Sequence, residues 1–476
     1  MKKIPNLISI LPILFLINLL IINVYLYGDD SLSGPNQLAL ILSASIASII
    51  GLIYGVEWKT IINGVSNSIK GVTSAIIILL LIGSLIGTWM ISGIVPTMIY
   101  YGLQILEPKI FLTASCIICA IVSLSTGSSF STVGTVGIAL LGIGQALNIP
   151  IGLIGGSIIS GAYFGDKMSP LSDTTNLAAA MAGTDLFTHI RYMMYTTIPS
   201  FINTLIIFLI IGINLNTETD QNINELLSIL ETSFNINIWL LAVPVIVIIL
   251  IMKKTPAIPA LFLGVLLGGI CAGLFQQDII HHIGNPHGKE QRYITTSYKA
   301  IMQAISGEVS IQSTNNHINN LLSTSGMIGM LNTIWLVICA MIFGGTIESV
   351  GLLKRISEPI MRYAKSTGDI VATTAGTCIL FNIAVSDQYL SIIIPGKMFA
   401  KAYKEKGLSP ENLSRTLEDS GTMTSVLIPW NTCGAVQSGV LGIAVITYLP
   451  YCFFNLISPI MTVIYAYLGI RIRRTI

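Results

Sequence analysis

Residues 165–177 read Gly-Asp-Lys-Met-Ser-Pro-Leu-Ser-Asp-Thr-Thr-Asn-Leu and interrupt a long apolar segment with three charged side chains. The surrounding segment, residues 150–190, is long enough to cross the roughly 30 Å hydrocarbon core of a bilayer. Irregular backbone at membrane depth is tolerated only where it lines a polar cavity. We therefore predict one crossing whose helix is unwound from Gly165 to Asn176 beside such a cavity.

The composition of the whole chain is that of a membrane protein. Its 476 residues are 53% apolar and 10% charged, whereas soluble domains are about 25% charged. The net charge of +2 provides no basic field, which excludes nucleic-acid binding. Eight apolar runs are long enough to cross a bilayer, namely residues 7–27, 37–55, 73–95, 193–213, 236–252, 257–275, 330–350 and 451–470.

The segment before the unwound crossing predicts a re-entrant hairpin. In residues 109–146, two apolar arms of about 15 residues flank a tip that contains Ser128 and Ser129, and each arm is marginal for a crossing. A hairpin that enters and leaves on one side needs only short arms. We therefore predict a hairpin over 109–146, followed by the broken helix 150–190.

The second half of the chain repeats this arrangement. Residues 369–402 predict a hairpin with Ser386 and Asp387 at its tip. Residues 413–447 predict a crossing that is broken at 429–434, which include Asn431 and Thr432. The expected fold is therefore an all-α polytopic membrane protein with about ten transmembrane helices, two re-entrant hairpins and two unwound helices.

Matching residues at a nearly constant offset indicate an internal repeat. The matches pair Gly87-Thr88 with Gly345-Thr346, Ser128-Ser129 with Ser386-Asp387, and Pro170 with Pro429. We expect one repeat in residues 1–235 and the other in 236–476, which also carries an outside loop over 276–328. The two hairpins would enter from opposite sides. Inverted repeats of this kind place the binding site of a secondary transporter near the midplane and support alternating access.

Positive charges orient this topology. With the N-terminus inside, nineteen of the 24 Lys and Arg residues fall on the cytoplasmic side, Arg415 among them. The others are Lys109, Lys289, Arg292 and Lys299 outside, with Lys167 alone at membrane depth. Both termini are then predicted to be cytoplasmic, in a bacterial inner membrane.

The strongest candidate ion ligand is Asp173. It lies in Ser172-Asp173-Thr174-Thr175-Asn176, which offers a carboxylate, three hydroxyls and an amide. Such hard oxygen ligands suit a dehydrated Na⁺. The alternative is that Asp173 caps the half-helix that follows.

Other acidic residues at membrane depth are also candidates, because an unpaired charge there is expensive. Asp387 is a candidate ion ligand at the second tip. Asp166 could bind an ion, but Lys167 is expected to pair with a neighbouring carboxylate, Asp166 or Asp173. The remaining three candidates for ion coupling are Glu348, Glu418 and Asp419, and for each the alternative role is a gate or a contact that pairs two helices. Glu418 and Asp419 are expected to be solvated at the cytoplasmic mouth of the broken span.

Residues 165–177 resemble the signature of the NhaC family of Na⁺/H⁺ antiporters, and the length and span pattern agree over nearly the whole chain. The resemblance implies a transport domain of two hairpins and two broken helices, on a scaffold that often dimerises, so a homodimer is an expected partner. Similar proteins also include a malate/lactate exchanger and amino-acid transporters.

The expected function is a secondary Na⁺/H⁺ antiporter in the lipid bilayer, exchanging cytoplasmic Na⁺ for external H⁺ by alternating access. The alternative is a Na⁺- or H⁺-coupled transporter of a small organic acid or amino acid. No G-x-x-x-x-G-K-[ST] motif is present, so an ion gradient must drive transport. No G-x-S-x-G or H-E-x-x-H motif indicates an enzyme. No cofactor is expected beyond the transported Na⁺ and H⁺.

Overall fold

The structure is a computed structural model that describes residues 4–27, 31, 33–215, 220–253, 255–285, 292–311, 322–353, 355–356 and 366–475, without the side chains of 220–226. Seven of the charges used to orient the chain lie outside these residues: Lys2, Lys3, Lys254, Lys289, Lys354, Arg362 and Lys365. The described chain is almost entirely helical, which confirms the predicted all-α class.

Helices α1 to α11 make up the first half. In chain order they are α1 (Asn6–Tyr27), α2 (Pro35–Ile53), α3 (Trp58–Gly71), α4 (Thr73–Ile91), α5 (Ile94–Ile105), α6 (Pro108–Thr126), α7 (Ser129–Ala146), α8 (Ile151–Met168), α9 (Asp173–Ala182), α10 (Leu186–Asn214) and α11 (Asp220–Ser233). Within α7, Val133–Gly137 form a π-helical turn. The sequence did not predict α3 or α5 as separate helices.

Helices α12 to α22 make up the second half. They are α12 (Ile238–Met252), α13 (Ala257–Phe275), α14 (Gln277–Gly284), α15 (Tyr293–Ser306), α16 (Gly326–Val350), α17 (Thr367–Ala384), α18 (Gln388–Glu405), α19 (residues 410–425), α20 (Thr432–Leu441), α21 (Val445–Tyr451) and α22 (Phe453–Tyr467). A π-helical turn, Glu418–Thr422, lies within α19. Strands β1 (Val309–Ser310) and β2 (Ser323–Thr324) pair antiparallel in the predicted outside loop.

The number of candidate membrane spans agrees with the prediction of about ten. In the described part of the chain, nine helices are long and apolar enough to cross a membrane, or up to eleven if each bent helix pair counts as one span. The hairpin arms are longer than the predicted 15 residues, because α6 has 19 residues and α17 and α18 have 18 each. Length alone therefore gives no reason for the hairpins to be re-entrant, and that part of the prediction stays open.

The helix boundaries recur between the halves. Helices α6, α7, α8, α9 and α10 begin at Pro108, Ser129, Ile151, Asp173 and Leu186, while α17 to α21 begin at Thr367, Gln388, Pro410, Thr432 and Val445. The spacing of about 259 residues is the signature of an internal repeat. The first helix break, residues 169–172, is shorter than the predicted 165–176, while the second, residues 426–431, has the predicted length of six residues but begins three residues earlier than predicted.

Exposed apolar side chains cover the outer helices. Helix α10, for example, exposes a row at helical spacing, formed by Ile198, Ile202, Ile206, Ile210 and Ile213. Large exposed apolar surfaces mark contact with a membrane or another protein. Many serine and threonine side chains are buried instead. This inside-out distribution is the one expected of a chain whose solvent is lipid.

Two glycines allow α8 to pack directly against α6. A Cβ at Gly161 would collide with the carbonyl oxygen of Cys116, and one at Gly165 would collide with that of Ala120. Small residues permit close backbone approach between membrane helices. These glycines fix the position of the broken helix relative to the first hairpin arm.

We expect Gly161→Ala to lower the free energy of unfolding by about 1–3 kcal/mol, because overpacking a dense interface forces the backbones apart. Thermal unfolding in detergent measures the effect. Gly273→Ala is the matched control, since a Cβ there meets nothing within 4 Å in the described residues. Equal melting temperatures for the two variants would mean that the α6–α8 contact tolerates a methyl group.

Candidate ion-binding site

Both hairpin tips and both broken helices meet at one cavity of about 450 Å³, which we call the tip cavity. Its wall includes residues of the first tip and break, residues of the second tip and of the start of α20, and parts of α4, α12 and α13. Its wall includes Thr126, Gly127, Ser128, Leu171 and Asp173 from the first half, and Asp387, Gln388, Tyr389, Thr432 and Cys433 from the second. The two halves of the repeat therefore enclose one space.

The first tip is fastened to the broken helix. Gly127 has a φ of 69°, and a Cβ there would lie 2.6 Å from Cβ of Leu171 in the break, so this close approach requires glycine. Asp166 accepts hydrogen bonds from the backbone N–H (3.0 Å) and the hydroxyl (2.7 Å) of Ser129. Ser128 caps the next helix by accepting from the N–H of Ser131. Asp166 and Ser129 thus bind each other, whereas Ser128 lines the tip cavity.

The second tip contacts its break in the same way. Ser386 has a φ of 63°, and its carbonyl oxygen accepts from the N–H of Thr432 at 2.9 Å. Asn431 donates to the carbonyl oxygen of Asn382 at 3.1 Å. Each hairpin tip therefore contacts the broken helix of its own half.

Asp387 caps helix α18, and its Oδ1 accepts from the N–H of Leu390 at 2.9 Å. Ser128 has the same capping role at the start of α7. The match of Asp387 with Ser129 in the sequence was therefore shifted by one residue. The structural counterpart of Asp387 is Ser128, so one tip presents a carboxylate where the other presents a hydroxyl.

Of the run Ser172 to Asn176, only Asp173 lines the tip cavity. Asp173 is exposed, and it is the first residue of α9 rather than its N-cap, which is Ser172. The other four side chains bind elsewhere: Ser172 and Thr174 to each other, Thr174 to Glu418, Thr175 to the carbonyl oxygen of Lys167, and Asn176 to those of Pro170 and Ser172. The five residues do not form one ligand shell in this conformation.

Lys167 pairs with Asp419 of the opposite half, so the expectation that it pairs with Asp166 or Asp173 is wrong. Both side chains are 0% exposed. Ser458 bonds to both of them, and Thr196 donates to the other carboxylate oxygen of Asp419 at 2.9 Å. The reason is that α8 continues to Met168. Consecutive helix residues point in different directions, so Asp166 faces the tip while Lys167 faces the second half.

Glu418 and Asp419 are fully buried, contrary to their predicted solvation at a cytoplasmic mouth, and Arg415, which was counted on the cytoplasmic side, is fully buried as well. Glu418 accepts from the hydroxyl of Thr174 at 3.1 Å, and Arg415 stacks over the ring of Tyr192 at 4.7 Å. Lys167 is therefore not the only buried cation. The helical segment Pro410–Leu417 is polar, so its burial was not predicted from the sequence.

Glu348 lies outside the tip cavity but borders the neighbouring one. A second cavity of about 830 Å³, which we call the vestibule, lies between α3, α16 and α18, and Glu348 is exposed on its wall. Asp387 and Tyr389 line both cavities. The α3 side of this space was not expected from the sequence, because α3 was not predicted as a helix.

Comparison with known proteins identifies similar chains over most of this length. The sequence profile of the Na⁺/H⁺ antiporter family matches residues 161–470. The Na⁺/H⁺ antiporter NhaC of Alkalihalophilus pseudofirmus is 40% identical, over 91% of this chain and 90% of that protein. The malate-2H⁺/Na⁺-lactate antiporter of Bacillus subtilis is 37% identical, over 98% and 96%. The Na⁺/H⁺ antiporter NhaC of Bacillus subtilis is 36% identical, over 90% and 91%.

Proposed function

The chain belongs to the Na⁺/H⁺ antiporter family, and we propose that it exchanges cytoplasmic Na⁺ for external H⁺ by alternating access. It is a multi-pass membrane protein. The proposal places it in a bacterial inner membrane with both termini in the cytoplasm. It requires no cofactor and no catalytic step, since Na⁺ and H⁺ are the cargo.

One observation carries the proposal: Asp173 and Asp387, from opposite halves, face the same tip cavity. No Lys or Arg stands among the described residues that line it. Two carboxylates without a basic partner attract cations. Ser128 and Thr432 add hydroxyl oxygens to the same wall, which suits Na⁺. We propose these four residues as the Na⁺ ligands, with the rest of the two tips and breaks holding them in place.

Competition at the carboxylates supplies the exchange. Burial favours a protonated carboxyl, and a bound cation favours an ionised one. One site therefore holds H⁺ or Na⁺ but holds both poorly. An empty, ionised site would be costly to enclose when the halves move. Only the loaded forms then cross between the two orientations, which couples the two ions.

The alternative is a Na⁺- or H⁺-coupled exchange of a small organic acid or amino acid. The similarity to a malate-2H⁺/Na⁺-lactate antiporter favours it, and a cavity of 450 Å³ exceeds what a bare Na⁺ needs. The lack of a basic side chain on the described cavity wall argues against a carboxylate substrate. Protein in liposomes, given Na⁺ with and without malate, lactate or amino acids, separates the two. Proton movement driven by Na⁺ alone supports simple cation exchange, whereas a strict requirement for an organic acid would replace it.

We expect the apparent affinity for Na⁺ to weaken as the pH falls, by about tenfold per pH unit for one competing proton. Lower pH fills the carboxyls with H⁺, so more Na⁺ is needed to displace it. Titration of purified protein with Na⁺ at several pH values, followed by calorimetry, measures the dependence. A pH-independent affinity would refute competition at a shared carboxyl.

A further inference from the structure

The vestibule reaches the tip cavity from one side, and polar side chains line part of its wall. Its described α3 wall carries Thr60, Asn63, Asn67 and Ser68, and α16 contributes Glu348 and Ser349. Thr60, Asn63 and Asn67 are exposed, so this end of the cavity is open. An ion that enters here meets polar side chains rather than lipid.

Asp387 and Tyr389 form the boundary between the vestibule and the tip cavity, since both residues line both spaces. Asp387 is one of the proposed Na⁺ ligands. Tyr389 is 40% exposed at the same boundary. The two cavities therefore adjoin at these residues, and polar side chains stand on the wall from the exposed face of α3 to the proposed ion site.

Glu348 gives this route a negative potential. It is exposed on the vestibule wall and forms no ion pair within the described residues. No Lys or Arg belongs to the described wall, and Lys397 of α18, which interacts with Glu348 electrostatically, lies outside it. Clefts lined by one sign of charge concentrate counter-ions and raise association rates.

We propose that the vestibule is the cytoplasmic path of Na⁺ and that Glu348 is a positioning residue that captures the cation before it reaches Asp387. The proposal rests on the proposed Na⁺/H⁺ exchange. The cytoplasmic side follows from the predicted orientation, which puts Lys59 and Lys70 of α3 inside. Glu348 acts on the arrival of the ion and does not hold it during the exchange step.

The first test is Glu348→Gln in everted membrane vesicles, with Na⁺-dependent proton movement as the signal. The KM for Na⁺ is expected to rise about threefold to tenfold at low ionic strength, with the maximal rate unchanged. The difference is expected to vanish at high ionic strength, because the Debye length falls from about 30 Å at 0.01 M to about 10 Å at 0.1 M salt. Glu348→Asp, which keeps the charge, is expected to behave as the unmodified protein. Glu57→Gln is the matched control, because Glu57 precedes α3 but does not line the vestibule.

The second test is thiol labelling from the cytoplasmic side. A negatively charged, membrane-impermeant thiol reagent is expected to inhibit an Asn67→Cys variant at least about tenfold. Ser66→Cys, exposed on the same helix but outside the described vestibule wall, is expected to react without inhibition.

An unchanged KM in folded Glu348→Gln, or full activity of labelled Asn67→Cys, would overturn the vestibule as the route. Absence of Na⁺-dependent proton movement in the unmodified protein would instead overturn the proposed function.

Discussion

Lys167→Met is expected to lower the free energy of unfolding by about 3–5 kcal/mol, because it leaves the Asp419 carboxylate buried without its partner. Asp419→Leu is expected to cost a similar amount for the reverse reason. The double variant, Lys167→Met with Asp419→Leu, is expected to recover most of the loss, since replacing both members of a buried pair with apolar residues is often neutral. Thermal unfolding in detergent measures all three.

The ion pair between Lys401 and Glu405 provides the control. It spans one helical turn with side chains 86% and 65% exposed. Lys401→Met is expected to change the free energy of unfolding by less than about 1 kcal/mol. If Lys167→Met and Asp419→Leu changed the free energy of unfolding as little as Lys401→Met does, the buried pair would not hold the two halves together.

Asp387→Asn and Asp173→Asn are each expected to reduce Na⁺-dependent proton exchange by at least about 100-fold. Replacing a residue that only hydrogen-bonds to a metal ligand already lowers metal affinity or activity by about 10–100-fold, and these two residues are proposed as ligands themselves. Both changes keep the side-chain size and remove the group that exchanges H⁺ for Na⁺. Neither should unfold the protein. Asparagine caps a helix as well as aspartate does, and Asp173 is exposed. Proton movement in liposomes, driven by a Na⁺ gradient, measures the loss.

Asp185→Asn is the matched control for Asp387→Asn. Asp185 caps α10 by accepting from the N–H of Thr188 at 2.9 Å and does not line the tip cavity. Its substitution is expected to leave exchange unchanged. Exchange at the unmodified rate by folded Asp387→Asn would mean that the tip cavity is not the ion site.

The repeated pattern of hairpin and broken helix was predictable from the sequence, because its signals are local. Apolar arms, polar tips and Pro170 or Pro429 near each break can be recognised within a window of some forty residues. Helix α3 was not predicted, because it lacks such a local signal. It has 14 residues, of which only Ile61 is buried, so it lacks the apolar length of a span.

Contacts between distant elements were not predictable in the same way. Lys167 has two carboxylates within six residues, and nothing in its neighbourhood indicates that Asp419 is its partner. Arg415 was assigned to the cytoplasm by a rule that counts charges along the chain. That rule takes no account of packing, and the polar helical segment that carries Arg415 packs inside the protein against α10, α17 and α18. The ion site itself remains a proposal that these local and distant features jointly support.

The tie between Lys167 and Asp419 also has a consequence for biosynthesis. The two residues are 252 positions apart, so a ribosome moving at 5–20 residues per second needs roughly 13–50 s to travel between them. During that interval Lys167 has no counter-charge, and a lone lysine at the bilayer centre costs about 2.5–3.5 kcal/mol on insertion scales. We expect the end of α8 to wait at the water interface until α19 is made. Nascent chains that stop between these residues are then left with an unfinished first half, which membrane quality-control proteases can recognise.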